Sequence, residues 1–250
     1  IDLLDTVDID PDEIRPGHTS TACGAACGEW LRLTDQLIDG GEIAASVIAP
    51  IEVAAMKAAG VIDMLVPPVL GKTYLLLISG KLRVAHLTDH IPLREVCRLI
   101  TPELVDKALV ELDRSLRSWG IAQPRIAVAG LNPHAAGEEE DRAITPGVNL
   151  ALQRGIDARG PVSPDTVFRH CVEERYDAVL AMYHDQGHIA IKTWGFTGNS
   201  LVVLGAPRLL VSVAHGTAHD IVGRGIADPS MMESAMVTAG FFAAGRGFPQ

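Results

Sequence analysis

Ala181-Met-Tyr-His-Asp-Gln-Gly-His-Ile-Ala-Ile-Lys-Thr-Trp-Gly-Phe196 is the stretch on which the fold reading turns. It is entered from an apolar run, Ala178-Val-Leu-Ala-Met-Tyr183, that stops abruptly at His184, Asp185, Gln186, Gly187 and His188. A short apolar run bounded by charge before and glycine after reads as a buried strand of a parallel sheet. Ligands of open α/β sheets sit just outside strand carboxyl ends, so polar residues delivered there are candidates for chemistry. Two other stretches repeat the layout. Leu82-Arg-Val-Ala-His-Leu87 leads into Thr88, Asp89 and His90, and Arg125-Ile-Ala-Val-Ala129 leads through Gly130-Leu-Asn-Pro133 to His134. A parallel sheet brings its carboxyl ends onto one rim, so three histidines just past three such strands predict one shared site. Imidazole suits divalent transition metals, and three protein ligands leave positions open for a substrate. The residues alone favour a catalytic metal centre.

The rest of the chain sets bounds on that reading. With 250 residues it has room for one large α/β unit, 1–250, or for two interleaved subdomains with the site in their cleft. Aliphatic residues dominate a hydrophobic fraction of 48% in which aromatics account for only 4%, which suits an α/β interior. A formal charge of −10 argues against nucleic acid and against anionic membrane surfaces. An anionic small substrate stays open, because a local cation or lysine outweighs distant net charge. The most apolar candidate for a membrane span, Val61 to Ile78, is broken by Asp63, Pro67, Pro68, Gly71 and Lys72. No charged-then-apolar leader opens the chain, and Cys23, Cys27, Cys97 and Cys171 show no CxxC or zinc-finger spacing. The expectation is a cytoplasmic protein with reduced thiols.

In order along the chain, an acidic lead-in to Pro16 precedes a helix capped by Thr19 or Ser20 and running to about Leu37. A strand over 44–50, a short helix over 51–59, strands over 73–79 and 82–87 and a helix over 92–100 come next. Thr101-Pro102 then opens a helix to about Trp119, with threonine as cap and proline in the first turn. Beyond it lie a strand over 126–129, helices around 144–154 and 164–174, and the strand over 178–183. Strands over 201–204 and 209–213 and a last helix over 231–242 complete the chain. This alternation predicts an α/β/α sandwich around a largely parallel sheet.

His90, the Gly130-Leu-Asn-Pro-His-Ala135 run, Tyr183-His-Asp-Gln-Gly187 with Lys192, and Ser212-Val-Ala-His-Gly-Thr-Ala218 together resemble the 4-hydroxythreonine-4-phosphate dehydrogenase family. The resemblance covers essentially the whole chain, with four separated motifs in the right order. It implies an isocitrate-dehydrogenase-like fold, a homodimer with the active site near the interface, NAD or NADP as cofactor, and a divalent metal (Zn, or Mg, Mn or Co). It also implies that His90, His134 and His184 hold the metal, the histidines already selected at the strand ends. By the same resemblance Asp165 and Asp185 lie near the catalytic centre, Asp165 as acid/base candidate and Asp185 as the group orienting an imidazole. Lys192 matches a substrate-anchoring and catalytic lysine, and His215 a position near the site or the dimer interface. His86, His188 and His219 read as structural. No GxGxxG follows a strand here, so NAD(P) is supplied by the resemblance and not by a dinucleotide fingerprint.

Against the family pattern, two polar phosphate-contacting positions fall on Leu201 and Leu210, and an Asn-Lys pair is replaced by Glu52-Val53. Leucine neither donates a hydrogen bond nor neutralises charge. These departures point to an unphosphorylated hydroxy acid, such as the cis-dihydrodiol carboxylate oxidised and decarboxylated by terephthalate dihydrodiol dehydrogenase-like relatives, with Arg208 facing its carboxylate. The alternatives are a true 4-hydroxythreonine-4-phosphate dehydrogenase of pyridoxal phosphate synthesis, a metal-dependent hydrolase, and an inactive binding protein on the same scaffold. The family pattern also has an N-terminal strand before Ile1, a Gly-His-Thr segment between Asp63 and Met64, and a glycine-rich loop between Gly137 and Glu138. The expectation is that these segments are loops omitted from the chain and not deletions.

Overall fold

Two capped helices frame the fold. In this computed structural model, which describes residues 3–6, 9–65 and 69–249, the Ser20 hydroxyl accepts from the Cys23 amide at 3.2 Å and starts α1 (Thr21–Asp39). The Thr101 hydroxyl does the same for the Leu104 amide at 3.2 Å and, with Pro102 in the first turn, starts α4 (Pro102–Ser118). Pro67 and Pro68, which interrupt the apolar run from Val61, lie outside the described residues, as do Ile1, Asp2, Val7 and Asp8 of the acidic lead-in.

α1 packs on α2 (Val53–Ala58) through glycine: a Cβ on Gly24 would lie 2.2 Å from the Ala55 carbonyl oxygen. The partner atom is backbone and cannot swing aside. Gly24→Ala is therefore expected to destabilise the protein by roughly 2 kcal/mol, lowering Tm by about 4–8 °C in a thermal melt. An unchanged Tm would contradict this packing.

Eight strands form one sheet among the described residues: β1 (Ser46–Ile48), β2 (Tyr74–Ser79), β3 (Leu82–His86), β4 (Arg125–Ala129), β5 (Asp157–Val162), β6 (Ala178–Ala181), β7 (Ser200–Leu204) and β8 (Leu210–Ser212). Their spatial order is β1-β8-β7-β2-β3-β6-β4-β5. β3, β6, β4 and β5 form a continuous parallel block, and β1 pairs parallel with β8. The β2–β3, β2–β7 and β7–β8 pairings are antiparallel. The helices α3 (Leu93–Leu99), α5 (Thr145–Gln153), α6 (Val167–Val172), α7 (His184–Trp194) and α8 (Ser230–Ala243) complete an α/β fold in which helices flank a mostly parallel sheet. β6 is buried along its whole length, and so are Ile126 to Ala129 of β4, as expected of parallel strands covered on both faces.

Two elements differ from the sequence reading. β5 is an added strand, because Asp157-Ala-Arg-Gly-Pro-Val162 carries a Gly-Pro pair that reads as a breaker. It survives because it is an edge strand, where a residue without an amide proton costs no ladder hydrogen bond on the open side. The second difference is at the motif itself. The strand ends at Ala181, and α7 begins at His184 with Tyr183 extended as its cap, so the histidine stands in a first helical turn and not in a loop.

The backbone is continuous at both places where the family pattern has extra residues. Met64 N donates to Val61 O at 3.1 Å, and Asp141 N donates to Gly137 O at 3.1 Å. Among the described residues no helix is long and apolar enough to cross a membrane.

Candidate metal centre

β3 and β6 are adjacent and parallel, so the segments leaving their carboxyl ends emerge on the same rim. The imidazoles of His90 and His184 meet there with ring centroids 4.6 Å apart. Asp89 joins them, and one ligand atom from each of Asp89, His90 and His184 lies within 4.8 Å of the other two. The His184 ring is oriented by its neighbour, Nδ1 lying 2.7 Å from Asp185 Oδ1. That hydrogen bond is the main cause holding the Asp185 carboxyl below its usual range. It leaves His184 Nε2 as the free donor atom, the arrangement by which a carboxylate fixes a metal-binding imidazole.

Whether these groups suit a cation is answered by Asp89. Its Oδ1 is buried and without a hydrogen-bond partner, because His90 Nδ1, though 3.0 Å away, is not aligned to donate. A buried carboxylate oxygen left unpaired is costly unless a cation or proton meets it. Two imidazoles and one carboxylate form a donor set that fits Zn, Co or Mn. A cavity of about 310 Å³, lined by Tyr74, Leu75, His86, Thr88, Asp89 and His90, adjoins the group. Asp89 has no role in the sequence reading; its only signal there is its place in the Thr88-Asp89-His90 triple.

His134 follows β4, the next strand of the same rim, in a single turn over Pro133–Ala135. It is exposed and stands outside the Asp89–His90–His184 group. Its backbone is left-handed (φ 60°), as is that of Ala135 (φ 53°), a conformation side chains other than glycine adopt only when the surroundings enforce it. Glu140 enforces it. The carboxylate is 1% exposed and accepts from Leu131 N at 2.7 Å, Asn132 N at 2.8 Å and Asn132 Nδ2 at 2.7 Å. Burial pushes this carboxyl upward, but the hydrogen bonds outweigh it and hold the group below its usual range. Glu140→Leu strands two backbone amides at about 1–3 kcal/mol each. The expected loss is roughly 3 kcal/mol, read as a lower urea midpoint. Glu140→Gln, which keeps an acceptor for both amides, is expected to lose less.

The remaining candidates are spread along the sheet. Asp165 follows β5 on the same rim and accepts from Ser163 Oγ at 2.9 Å. Lys192 sits half-buried in the last turn of α7, eight residues and so roughly 12 Å along the axis from His184. Arg208 precedes β8 and is already engaged, with Asp35 at 2.9 Å and Asp39 at 2.6 Å. His215 follows β8, which runs against β3, so it stands at the opposite end of the sheet from His90. With Phe196, Thr217, Val222, Ser230 and Met231 it lines a cavity of about 660 Å³.

Fold and geometry together define an α/β protein with a candidate ligand site at the carboxyl ends of parallel strands and a donor set suited to a divalent cation. The chain belongs to the family described as pyridoxal phosphate biosynthetic protein PdxA, whose model matches residues 1–239. It is 54% identical over 251 residues to a protein of Novosphingobium aromaticivorans provisionally named 4-hydroxythreonine-4-phosphate dehydrogenase, covering 100% of this chain and 76% of the relative. It is 38% identical over 260 residues to one of Halalkalibacterium halodurans provisionally named D-threonate 4-phosphate dehydrogenase, covering 97% and 76%. Among solved structures, 4-hydroxythreonine-4-phosphate dehydrogenase of Klebsiella pneumoniae superposes with a TM-score of 0.82 at 36% identity, covering 94% of this chain and 75% of that one. Terephthalate 1,2-cis-dihydrodiol dehydrogenase of Burkholderia xenovorans LB400 superposes with a TM-score of 0.65 at 27% identity, covering 99% and 81%. The relatives are named as dehydrogenases, which supports oxidoreductase chemistry for this chain.

The unphosphorylated substrate expected from the departures is not supported by these comparisons, since the more similar proteins carry phosphate in their names. The physical reasons lie in the placement of the residues. Leu201 and Leu210 are half-buried strand residues, in register with Leu77 and Ser212 and with Ser46. Glu52 stands at the N-terminal boundary of α2 without a side-chain capping bond, and its carboxylate accepts from the Thr19 hydroxyl. Arg208 is paired with two aspartates, Asp35 and Asp39. The 251-residue alignment to the Novosphingobium relative leaves no space for a three-residue insertion in that protein, which speaks for real deletions at 63/64 and 137/138.

Proposed function

We propose that the chain is an NAD(P)-dependent, divalent-metal-assisted dehydrogenase of a small phosphorylated hydroxy acid of the 4-hydroxythreonine-4-phosphate type. The observation that carries this is the Asp89–His90–His184 group on the strand rim of a chain in this family. Asp89 Oδ1, His90 and His184 Nε2 would hold the cation, with His134 on the neighbouring strand as the further ligand implied by the family motif. A cation bound there would supply Lewis acidity to a substrate hydroxyl, and a bound nicotinamide would supply the hydride acceptor.

Asp185 keeps the His184 ring in one orientation through its 2.7 Å contact. Asp165, exposed on the same rim, takes the hydroxyl proton. Lys192 supplies the charge that anchors the phosphate. The cavity of about 660 Å³ is of the size of a cofactor site, and the positive φ of Gly223 and Gly225 shapes the loop at its mouth.

Within one copy this cavity and the histidine rim lie at opposite ends of the sheet. A homodimer brings the cavity of one copy to the rim of the other, with exposed Ile189, Trp194 and Phe196 as apolar surface to bury.

The test is absorbance growth at the reduced-nicotinamide wavelength with 4-hydroxythreonine 4-phosphate or D-threonate 4-phosphate and each nucleotide. The expected result is growth that stops on chelation and returns with Mn²⁺, Co²⁺ or Zn²⁺. Substrate cleavage without any reduced nucleotide would overturn the reading in favour of a hydrolase.

A further inference from the structure

We propose that His86 and His188 are positioning residues: a buried imidazole pair, anchored on the Leu75 carbonyl, that fixes the tautomer of His188 and seats its ring against His184. The role assigned to His184 rests on the metal reading of the proposed function; the tautomer assignment does not.

Donors and acceptors determine the tautomers. His86, at the end of β3 and 2% exposed, has Nδ1 3.1 Å from Leu75 O on the neighbouring strand. A carbonyl only accepts, so His86 Nδ1 carries the proton. His188, 8% exposed, has Nδ1 3.2 Å from His184 O and 3.2 Å from His86 Nε2. The carbonyl again requires the proton on His188 Nδ1, and that N–H then faces the His86 Nε2 lone pair. A doubly protonated His86 would set two N–H groups against each other. Neutrality agrees with burial, since neither ring has water to solvate a charge. Both rings are therefore Nδ1–H tautomers, and His188 Nε2 is a bare lone pair.

The pair reaches the site by stacking. His184 and His188 are four residues apart on α7 and so share a face, with ring centroids 3.6 Å apart and planes 16° from parallel. Asp185 holds the His184 ring by its edge and His188 holds it by its face. Gly187 makes space for this: a Cβ there would lie 2.3 Å from His86 Nε2. His184, Asp185, Gly187 and His188 of the His-Asp-Gln-Gly-His run thus each have a physical reason for their place.

The test uses the full chain in two arms. In ¹⁵N-histidine-labelled, metal-free protein at neutral pH, long-range proton–nitrogen correlation is expected to report Nδ1–H for His86 and His188, against the Nε2–H form that free neutral histidine prefers. Co²⁺ titration, followed by its visible absorption, is then compared across wild type, His188→Phe and His188→Ala, with near-UV circular dichroism confirming native packing. His188→Ala is expected to weaken Co²⁺ binding about 10–100-fold, and His188→Phe, which keeps a ring for stacking, to restore most of it. Nε2–H at either ring, or wild-type Co²⁺ affinity in His188→Ala, overturns the proposal. Wild type that binds no Co²⁺ overturns the metal reading and the positioning role with it, and the tautomer arm distinguishes that failure from failure of the pair. Should His188→Ala not fold, the tautomers and the His188→Phe titration decide.

Discussion

His184→Ala is expected to lose cation binding and to lower turnover about 10³-fold while leaving Tm nearly unchanged. The magnitude comes from the several kcal/mol of charge stabilisation a Lewis acid contributes, about 4 kcal/mol at 1.4 kcal/mol per tenfold. Stability is spared because the side chain sits at the rim, not in the core formed by residues such as Leu76, Val84, Ile126 and Leu180. His90→Ala, at a side chain 76% exposed, is expected to behave alike. His134→Ala is the informative contrast. The family motif implies the same loss of metal and turnover, whereas His134 lies outside the Asp89–His90–His184 group in this chain. Retained Co²⁺ affinity in His134→Ala, with loss in His184→Ala, would assign the cation to that group alone. Full activity in His184→Ala would remove the metal centre from the mechanism.

The second large effect concerns phosphate. If the substrate is of the 4-hydroxythreonine-4-phosphate type, the same compound without phosphate is expected to show kcat/KM about 10²–10⁴-fold lower. Two charge-assisted hydrogen bonds at about 1.5–3 kcal/mol each give that range. Lys192→Ala should remove one of them, costing the phosphorylated substrate about 10–100-fold and leaving the unphosphorylated one nearly unaffected. The measurement is steady-state kinetics on both compounds with both proteins. A cis-dihydrodiol carboxylate turned over faster than either phosphorylated acid would reinstate the substrate class to which Leu201 and Leu210 point.

The parallel block was legible in the chain because β6 and residues 126–129 of β4 are unbroken apolar runs, as expected of strands covered on both faces. Thr101-Pro102 and Ser20 likewise announced their helices, since a capping hydroxyl and a first-turn proline are local chemistry. β5 was hidden because its tolerance of Gly160-Pro161 comes from edge position, a property of sheet order and not of the six residues themselves. For the site, the convergence of His90 and His184 came from strand ends sharing a rim, but two features did not. Asp89 gained its part from an unpaired buried oxygen, and Glu140 from three hydrogen bonds to a loop eight or nine residues away. Neither unpaired atoms nor loop closure leave a periodic trace. The internal partners of Glu52 and Arg208 were hidden for the same reason, because Thr19, Asp35 and Asp39 are distant in the chain.

The most direct test of the metal centre is anomalous diffraction from crystals of the full chain loaded with Co²⁺. The account predicts one strong peak per chain at the rim, within bonding distance of His184 Nε2 and an imidazole nitrogen of His90. A peak elsewhere, or none under conditions where the crystals turn over substrate, would contradict it.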